Sequence, residues 1–283
     1  MILIDLNQVL LSGLMAQIAG QKNVKLEEGL VRHLVLNIIR GHVRQFRQEY
    51  GEVVLCCDNK KYWRKEFFPF YKAGRKKARE KSDLDWHLIF DILGNLKQEL
   101  RENFPYKVID VDGAEADDII GTLTPIYAGG DNKILILSSD GDFLQLQMYK
   151  NVKQYNPAQK KYIKSENPSA ELKEKIIKGD KGDGIPNVLS PADCFVRDLR
   201  QTPINKNRLE KLLNENYGDW EDENARIGFS RNQTLIDLRQ IPSDIKNSII
   251  DTYNNTKPAP RSKLINYFMD KKLKNLMEVI EEF

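Results

Sequence analysis

The chain has 283 residues, 41% of them hydrophobic, with a net charge of +3; it can bury one large core or two, which excludes a disordered or fibrous class. Three cysteines, Cys56, Cys57 and Cys194, offer neither a CxxC pair nor an even framework, which argues against a zinc module or a disulfide scaffold and suits a reducing, cytoplasmic compartment. No stretch has the length and apolarity of a membrane span, and the opening run MILIDLNQVLLSGLMAQIAG carries Asp5 and lacks the basic leader of a signal peptide.

In chain order, the first half alternates. MILIDL, EVVLCCD, YKVIDVD and KILILSSD are short apolar runs rich in β-formers, separated by helix-period segments around Glu27–Tyr50, Trp86–Asn103 and Ala114–Tyr127. That order predicts an α/β fold, a mostly parallel central sheet with helices on both faces, and strands apolar throughout fit burial on both sides. VKQYNPAQKKYIK (152–164) predicts a hairpin around an Asn-Pro turn. From Pro168 to Phe283 only helices and loops are expected. A soft boundary near Glu166 divides an α/β domain (1–165) from a helical region (166–283). His33 and His42, nine apart on an apolar-periodic helix, read better as solvated or core-satisfied imidazoles than as ligands.

The strands end on acids. Asp5 follows the first, Asp58 the second, Glu115, Asp117 and Asp118 open the helix after the third, and Asp140 and Asp142 follow the fourth; Asp180 and Asp183 sit in the Gly-rich turn KGDKGDGIPN. In open parallel sheets ligands bind beyond the carboxyl ends of the strands. Each acid alone has a local explanation, as a turn former, a helix cap or a partner of the helix dipole. Nine together would repel one another unless cations neutralised them. An all-oxygen donor set fits Mg²⁺, with Mn²⁺ as a substitute. The number of acids fits two ions, which together activate water and stabilise the leaving oxygen of a phosphodiester. If residues 115–118 are fully helical, Glu115 and Asp118 share a face and Asp117 points elsewhere; a later helix start changes that ranking.

Between Asn59 and Ser82, seven Lys and three Arg against two Glu give a net +8, leaving −5 for the rest of the chain. Six aromatics, Tyr62, Trp63, Phe67, Phe68, Phe70 and Tyr71, are interleaved with this charge. Cations that track phosphates and rings that stack on unpaired bases are the pairing expected of single-strand binding. A helix burying its aromatic face under solvated lysines is the alternative. Inserted directly after the strand that ends at Asp58, the segment would overhang the acids, with Lys72 and Arg75 reaching a scissile phosphate.

These motifs resemble the 5′ nuclease superfamily of flap endonucleases and the 5′-exonuclease domains of bacterial DNA polymerases: Asp5, Asp58, EADD, SSDGDF and GDKGDGIP, with FPFYKAGR between the second and third. Within it, KYWRKEF, KAGRKKARE, ILILSSDGDF, NVKQYNP and KPAPRSKLINYF are similar to the ribonuclease H group of T-even-type bacteriophages, over nearly the whole chain. The resemblance implies the 5′-nuclease, PIN-like Rossmann-type fold, with a helix–hairpin–helix-like element in a duplex-binding helical region. It implies a two-metal, Mg²⁺-dependent 5′→3′ exonuclease and 5′-flap endonuclease that removes RNA primers from lagging-strand fragments. Its substrates would be RNA·DNA duplexes and flap, nicked or forked DNA. By motif position, Asp5, Asp58, Asp118 and Asp140 would hold the first metal, with Glu115 and Asp117 nearby, and Asp142, Asp180 and Asp183 the second. Lys72, Arg75 and Arg79 would belong to an arch at 59–82 that grips a 5′ single strand, with Arg64, Tyr71 and Lys76 adding contacts to nucleic acid. The resemblance also suggests a monomer in the infected bacterial cell, in contact with a phage single-stranded-DNA-binding protein and a sliding clamp, although a first strand starting so early leaves no room for an N-terminal clamp-binding tail.

One departure concerns the helix–hairpin–helix. Gly182, Gly184 and Asn187 replace residues the family pattern expects, and VLSPADCF follows without its Gly-rich turn, so duplex grip through a bound potassium ion is not expected. Lys206, Arg208 and Lys211, or the Lys257–Lys274 stretch, are candidates for duplex contact, with solvated helix faces an equal explanation. Two other functions compete. A nonenzymatic flap- or junction-binding protein could dispense with the acids that are all present here, and a small-molecule phosphohydrolase leaves the basic aromatic insertion unexplained. No Walker or G-x-G-x-x-G loop follows a strand.

Overall fold

The four apolar runs form β1 (Ile2–Asp5), β2 (Val53–Cys56), β3 (Lys107–Ile109) and β4 (Ile134–Leu137), and the expected hairpin forms β5 (Val152–Asn156) and β6 (Lys161–Ile163). The computed structural model describes residues 1–18, 27–82, 84–130 and 132–283; the last two residues of the apolar opening run lie outside them. The strands make one sheet in the order β3-β2-β1-β4-β5-β6, parallel throughout except for the antiparallel edge strand β6. Strand order reverses between β1 and β4, which is where such sheets open a crevice.

Alternation along the strands divides the core. Ile2, Ile4, Val53, Leu55, Leu135 and Leu137 face one side, under α1 (Leu6–Ile18), α2 (Glu28–Tyr50) and α5 (Trp86–Asn103). Leu3, Val54, Cys56, Ile109, Ile134 and Ile136 face the other, under α6 (Ala116–Tyr127). The sequence reading misses α1, because its apolar residues run on from β1 without a break. The basic segment supplies α3 (Trp63–Phe67) and α4 (Gly74–Glu80).

The C-terminal half is helical as expected: α7 (Pro168–Lys178), α8 (Lys206–Asn214), α9 (Glu223–Ile236), α10 (Ser243–Asn255), α11 (Ser262–Asp270) and α12 (Lys274–Met277). A third core joins Phe68 and Tyr71 to Ile176, Ile177, Leu212, Trp220 and Phe229. Later helices return to the sheet: Ile249 and Tyr253 of α10 join the α6 face, and Leu264, Tyr267, Phe268 and Leu276 join the other. Between α7 and α8 the chain makes turns stitched by Asn187. Its side-chain oxygen accepts from the Leu189 N–H (3.0 Å) and the Ser190 hydroxyl (2.9 Å), and its Nδ2 donates to the Thr202 carbonyl (2.8 Å). Among the described residues no helix is long and apolar enough to cross a membrane.

Candidate active site

Asp5, Asp58, Asp117 and Asp140 share the crevice. Asp5, at the end of β1, accepts hydrogen bonds from the Gln8 N–H (3.3 Å) and the Ser138 hydroxyl (3.0 Å). Asp58 accepts from the Ala116 N–H (2.9 Å) and Asn7 Nδ2 (3.0 Å), which ties the end of β2 to the start of α6. Asp140 caps the 3₁₀ turn that follows β4 by accepting from the Asp142 N–H at 2.9 Å. Asp117 makes no hydrogen bond or ion pair among the described residues. None of the four has a cationic side-chain partner there either. Burial, then the neighbouring charges of Asp58 and Asp140, pushes the Asp5 carboxyl up to about 7 against its two hydrogen bonds. Asp117 is pushed well above the carboxylate range, first by burial and then by Asp140, Asp5 and Glu115, with Lys72 opposing.

The first turn of α6 sorts its acids by face. Glu115 is the N-cap and Asp118 the third helical residue; the Asp118 side chain accepts from the Glu115 N–H at 2.9 Å in a capping box. Both look away from Asp117. Asp118 is fully buried, 2.8 Å from Arg64 Nη1, and accepts from Trp63 Nε1 at 3.2 Å. Glu115 meets Arg64 (3.1 Å), the Tyr71 hydroxyl (3.1 Å) and Lys72 Nζ (2.6 Å). The expectation that Asp118 joins Asp5, Asp58 and Asp140 is therefore corrected: its oxygens are committed to Arg64, Trp63 and the helix cap, and Asp117 is the acid that faces the crevice.

The second set is already balanced by the protein's own cations. Lys175 of α7 pairs with Asp142 and, at 3.0 Å, with Asp180. Asp183 meets Arg75 Nη2 at 2.5 Å, Lys72 Nζ at 3.7 Å and the Tyr71 hydroxyl at 3.0 Å. Burial opposes charge on Lys72 and Lys175, yet Asp183 and Glu115 in one case and Asp142 and Asp180 in the other hold both ammonium groups firmly protonated. Asp142 is raised to about 6 by burial against the pull of Lys175. Gly179, at φ +69°, starts the turn; a Cβ there would lie 2.3 Å from the Ile185 carbonyl oxygen. The Asp180 and Ile185 backbones bond in both directions across it (2.8 and 2.7 Å). Sequence reasoning missed Lys175, one of several lysines around the turn with nothing in the pattern to single it out.

The basic segment is half structural. Arg64 is 2% exposed; its Nε donates to the Leu235 carbonyl (2.9 Å) and its Nη1 holds Glu115 and Asp118. Tyr71 is equally buried. In this structure the acids of α6, Asp183 and the third core hold both, and neither is exposed where the sequence reading placed a contact to nucleic acid. Phe68 is buried as well, whereas Phe67 is 50% exposed, so the aromatic half of the segment builds core more than a stacking platform. Lys76 and Arg79 are exposed, Arg79 lying over the Phe90 ring at 5.3 Å.

An acidic crevice at the switch point of a parallel sheet, beside a basic insertion that leads into helices, is the arrangement of the 5′ nuclease class. A family model for the 5′-3′ exonuclease N-terminal resolvase-like domain matches residues 1–176, and one for the C-terminal region of T4 RNase H matches residues 167–283. The chain belongs to this 5′-3′ exonuclease family of nucleases, in its T4 ribonuclease H branch. It is 37% identical over 297 aligned residues to the ribonuclease H of Enterobacteria phage T4, covering 99% of this chain and 95% of that one. It is 26% identical to a 5′-3′ exonuclease of Buchnera aphidicola, covering 75% and 77%. The fold is shared with two bacteriophage T5 structures at 15% identity. One is a 5′-exonuclease with bound zinc (TM-score 0.60; 90% of this chain, 98% of that one). The other is a flap endonuclease variant in a pseudo-enzyme-product complex with DNA and metal ions (TM-score 0.58; 90% and 99%).

Proposed function

We propose that this chain is a Mg²⁺-dependent 5′→3′ exonuclease and 5′-flap endonuclease that hydrolyses phosphodiesters in RNA·DNA and DNA duplexes and removes RNA primers, with two divalent ions at the crevice. The observation that carries the reading is the segregation of charge: among the described residues Asp5, Asp58, Asp117 and Asp140 make no ion pair, whereas Glu115, Asp118, Asp142, Asp180 and Asp183 all do.

The residues fit a hard divalent ion. The donors are all oxygens, Asp117 has no other partner, and burial with mutual repulsion disfavours ionisation of Asp5 and Asp117 until a cation arrives. Among the described residues no three acidic, imidazole or thiol groups close into a ready-made cage; Mg²⁺ usually takes one or two carboxylates and keeps its waters. Such ions supply a nucleophile from water at neutral pH and charge stabilisation for the leaving oxygen. Around them, Gln8, Ser138 and Asn7 orient the carboxylates of Asp5 and Asp58. Lys72 and Arg75, carried by the basic segment to Asp183, bring positive charge to where a scissile phosphate would sit. A second ion at Asp142, Asp180 and Asp183 would have to displace the ammonium of Lys175 and the cations of Lys72 and Arg75 that now neutralise these acids.

The test is cleavage of a labelled 5′-flap duplex and an RNA-primed duplex with and without Mg²⁺. Short 5′ products that need the ion are expected. Tight flap binding without product in either Mg²⁺ or Mn²⁺ would instead identify a structure-specific binding protein.

A further inference from the structure

We propose that the β5–β6 hairpin is a second nucleic-acid-binding surface, which takes the phosphate backbone of the substrate on the side of the acidic crevice opposite the basic segment. The substrate class rests on the nuclease reading; the binding does not require catalysis.

From Phe143 to Ser165 the chain carries Lys150, Lys153, Lys160, Lys161 and Lys164 and no Asp, Glu or Arg. All five lysines are exposed, and none makes an ion pair among the described residues. The candidates for duplex contact on α8 behave differently: Lys206 lies 3.9 Å from Glu210, Arg208 3.7 Å from Asp222 and Lys211 3.9 Å from Glu215. Those are ordinary neutralised helix faces. The hairpin keeps its full charge for an external anion.

Register gives the position. Tyr155 of β5 lies beside Leu137 of β4, and Asn156 beside Lys161 of β6. The turn that carries Lys160 and Lys161 therefore stands at the same sheet edge as Ser138 to Asp140, whereas Lys153 and Lys164 are level with Leu135 and Lys150 lies beyond Val152, towards the other end of the sheet. Two strand spacings separate that turn from Ser138 to Asp140, about 10 Å. The basic segment leaves the sheet after β2, on the other side of β1. The carboxylates at the ends of β1 and β4 thus lie between the start of the basic segment and the Lys160–Lys161 turn, and an anionic strand running along this edge of the sheet meets both. Tyr162, 48% exposed with Lys153 Nζ 5.7 Å from its ring centre, adds an aromatic face.

Edge strands also use lysine to block pairing with other chains. One or two on β6 would serve that purpose; it does not account for the lysines outside β6 or for the absence of every acid across the hairpin.

The experiment compares the parent with a double variant, Lys160→Gln and Lys161→Gln, and with the matching double Arg variant. Binding of 5′-flap duplexes is followed by fluorescence anisotropy in EDTA between roughly 50 and 200 mM salt. The Gln variant should bind at least about tenfold more weakly at the low-salt end, with the slope of log K against log salt shallower by about 2, and the Arg variant should bind like the parent. Turnover at saturating substrate should stay within about twofold of the parent, since no crevice residue is touched. Flaps with and without an upstream primer tell which duplex arm is held: loss only with the primer assigns the upstream arm, equal loss the downstream one. Unchanged affinity and salt slope on every substrate, with a native circular dichroism melt, would overturn the proposal and leave the lysines as edge protection. Parent protein that binds but never cuts would sink the nuclease reading alone.

Discussion

Asp117→Asn and Asp118→Asn are adjacent isosteric changes with opposite expected consequences. Asp118 is fully buried, 2.8 Å from an Arg64 that is itself 2% exposed. Removing one member of a buried pair costs about 3–5 kcal/mol. The amide oxygen of the replacement would still accept from the Glu115 N–H, and Arg64 would keep Glu115, so the low end, about 3 kcal/mol, applies. At roughly 2–4 °C per kcal/mol for a chain of this size class, the melting temperature should fall by roughly 6–12 °C. Asp117 makes no ion pair among the described residues, and burial together with Asp140 and Asp5 opposes its charge more than Lys72 favours it. Its replacement should leave the metal-free melting temperature level or slightly higher, yet lower kcat/KM by about 100-fold or more, about 2.7 kcal/mol of transition-state stabilisation. Melts in EDTA and flap cleavage in Mg²⁺, below the melting temperature of either variant, test both. If Asp118→Asn melted with the parent and lost cleavage while Asp117→Asn stayed active, the assignment of the two acids would be reversed.

The remaining tests probe charge and backbone. With its folded pKa raised to about 7, Asp5 contributes stability that is full below about pH 4, where the unfolded chain also holds its proton, and is lost as pH rises through about 7. An ion needs the ionised form, so the gain in melting temperature on adding Mg²⁺ should grow from about pH 6 to about pH 8; a gain that shrank would remove the ion from this crevice. Lys72→Met should lower kcat by about 10- to 100-fold with KM nearly unchanged; a change in KM alone would make Lys72 a steering charge. Gly179→Ala forces a Cβ into the Ile185 carbonyl at a left-handed φ. It should cost more than about 1 kcal/mol by calorimetry and slow cleavage through Asp180 and Asp183; parental values for both would show that the turn does not fix these acids.

What could be read from the chain depended on how local its cause was. The strands are legible because burial on both faces makes them apolar without interruption, and the hairpin because Asn-Pro marks its turn. Acids at strand ends are legible too, since the crevice of a parallel sheet is a property of its topology. Their division of labour is not. Successive helical residues turn by about 100°, so whether Asp117 or Asp118 faces the crevice depends on the residue at which α6 begins, and that is set by the Glu115–Asp118 capping box. Arg64 and Tyr71 look like surface groups in a run of lysines; they are buried because Glu115, Asp118 and Asp183 require donors from a segment distant in sequence. Lys175 is indistinguishable from its neighbours until α7 folds against Asp142. Motif order therefore assembles the acids, and their cation partners decide which are free to hold an ion. Among the described residues Asp5, Asp58, Asp117 and Asp140 make no ion pair, Glu115 and Asp118 are held by Arg64 and Lys72, and an ion at Asp142, Asp180 and Asp183 would compete with Lys175, Arg75 and Lys72.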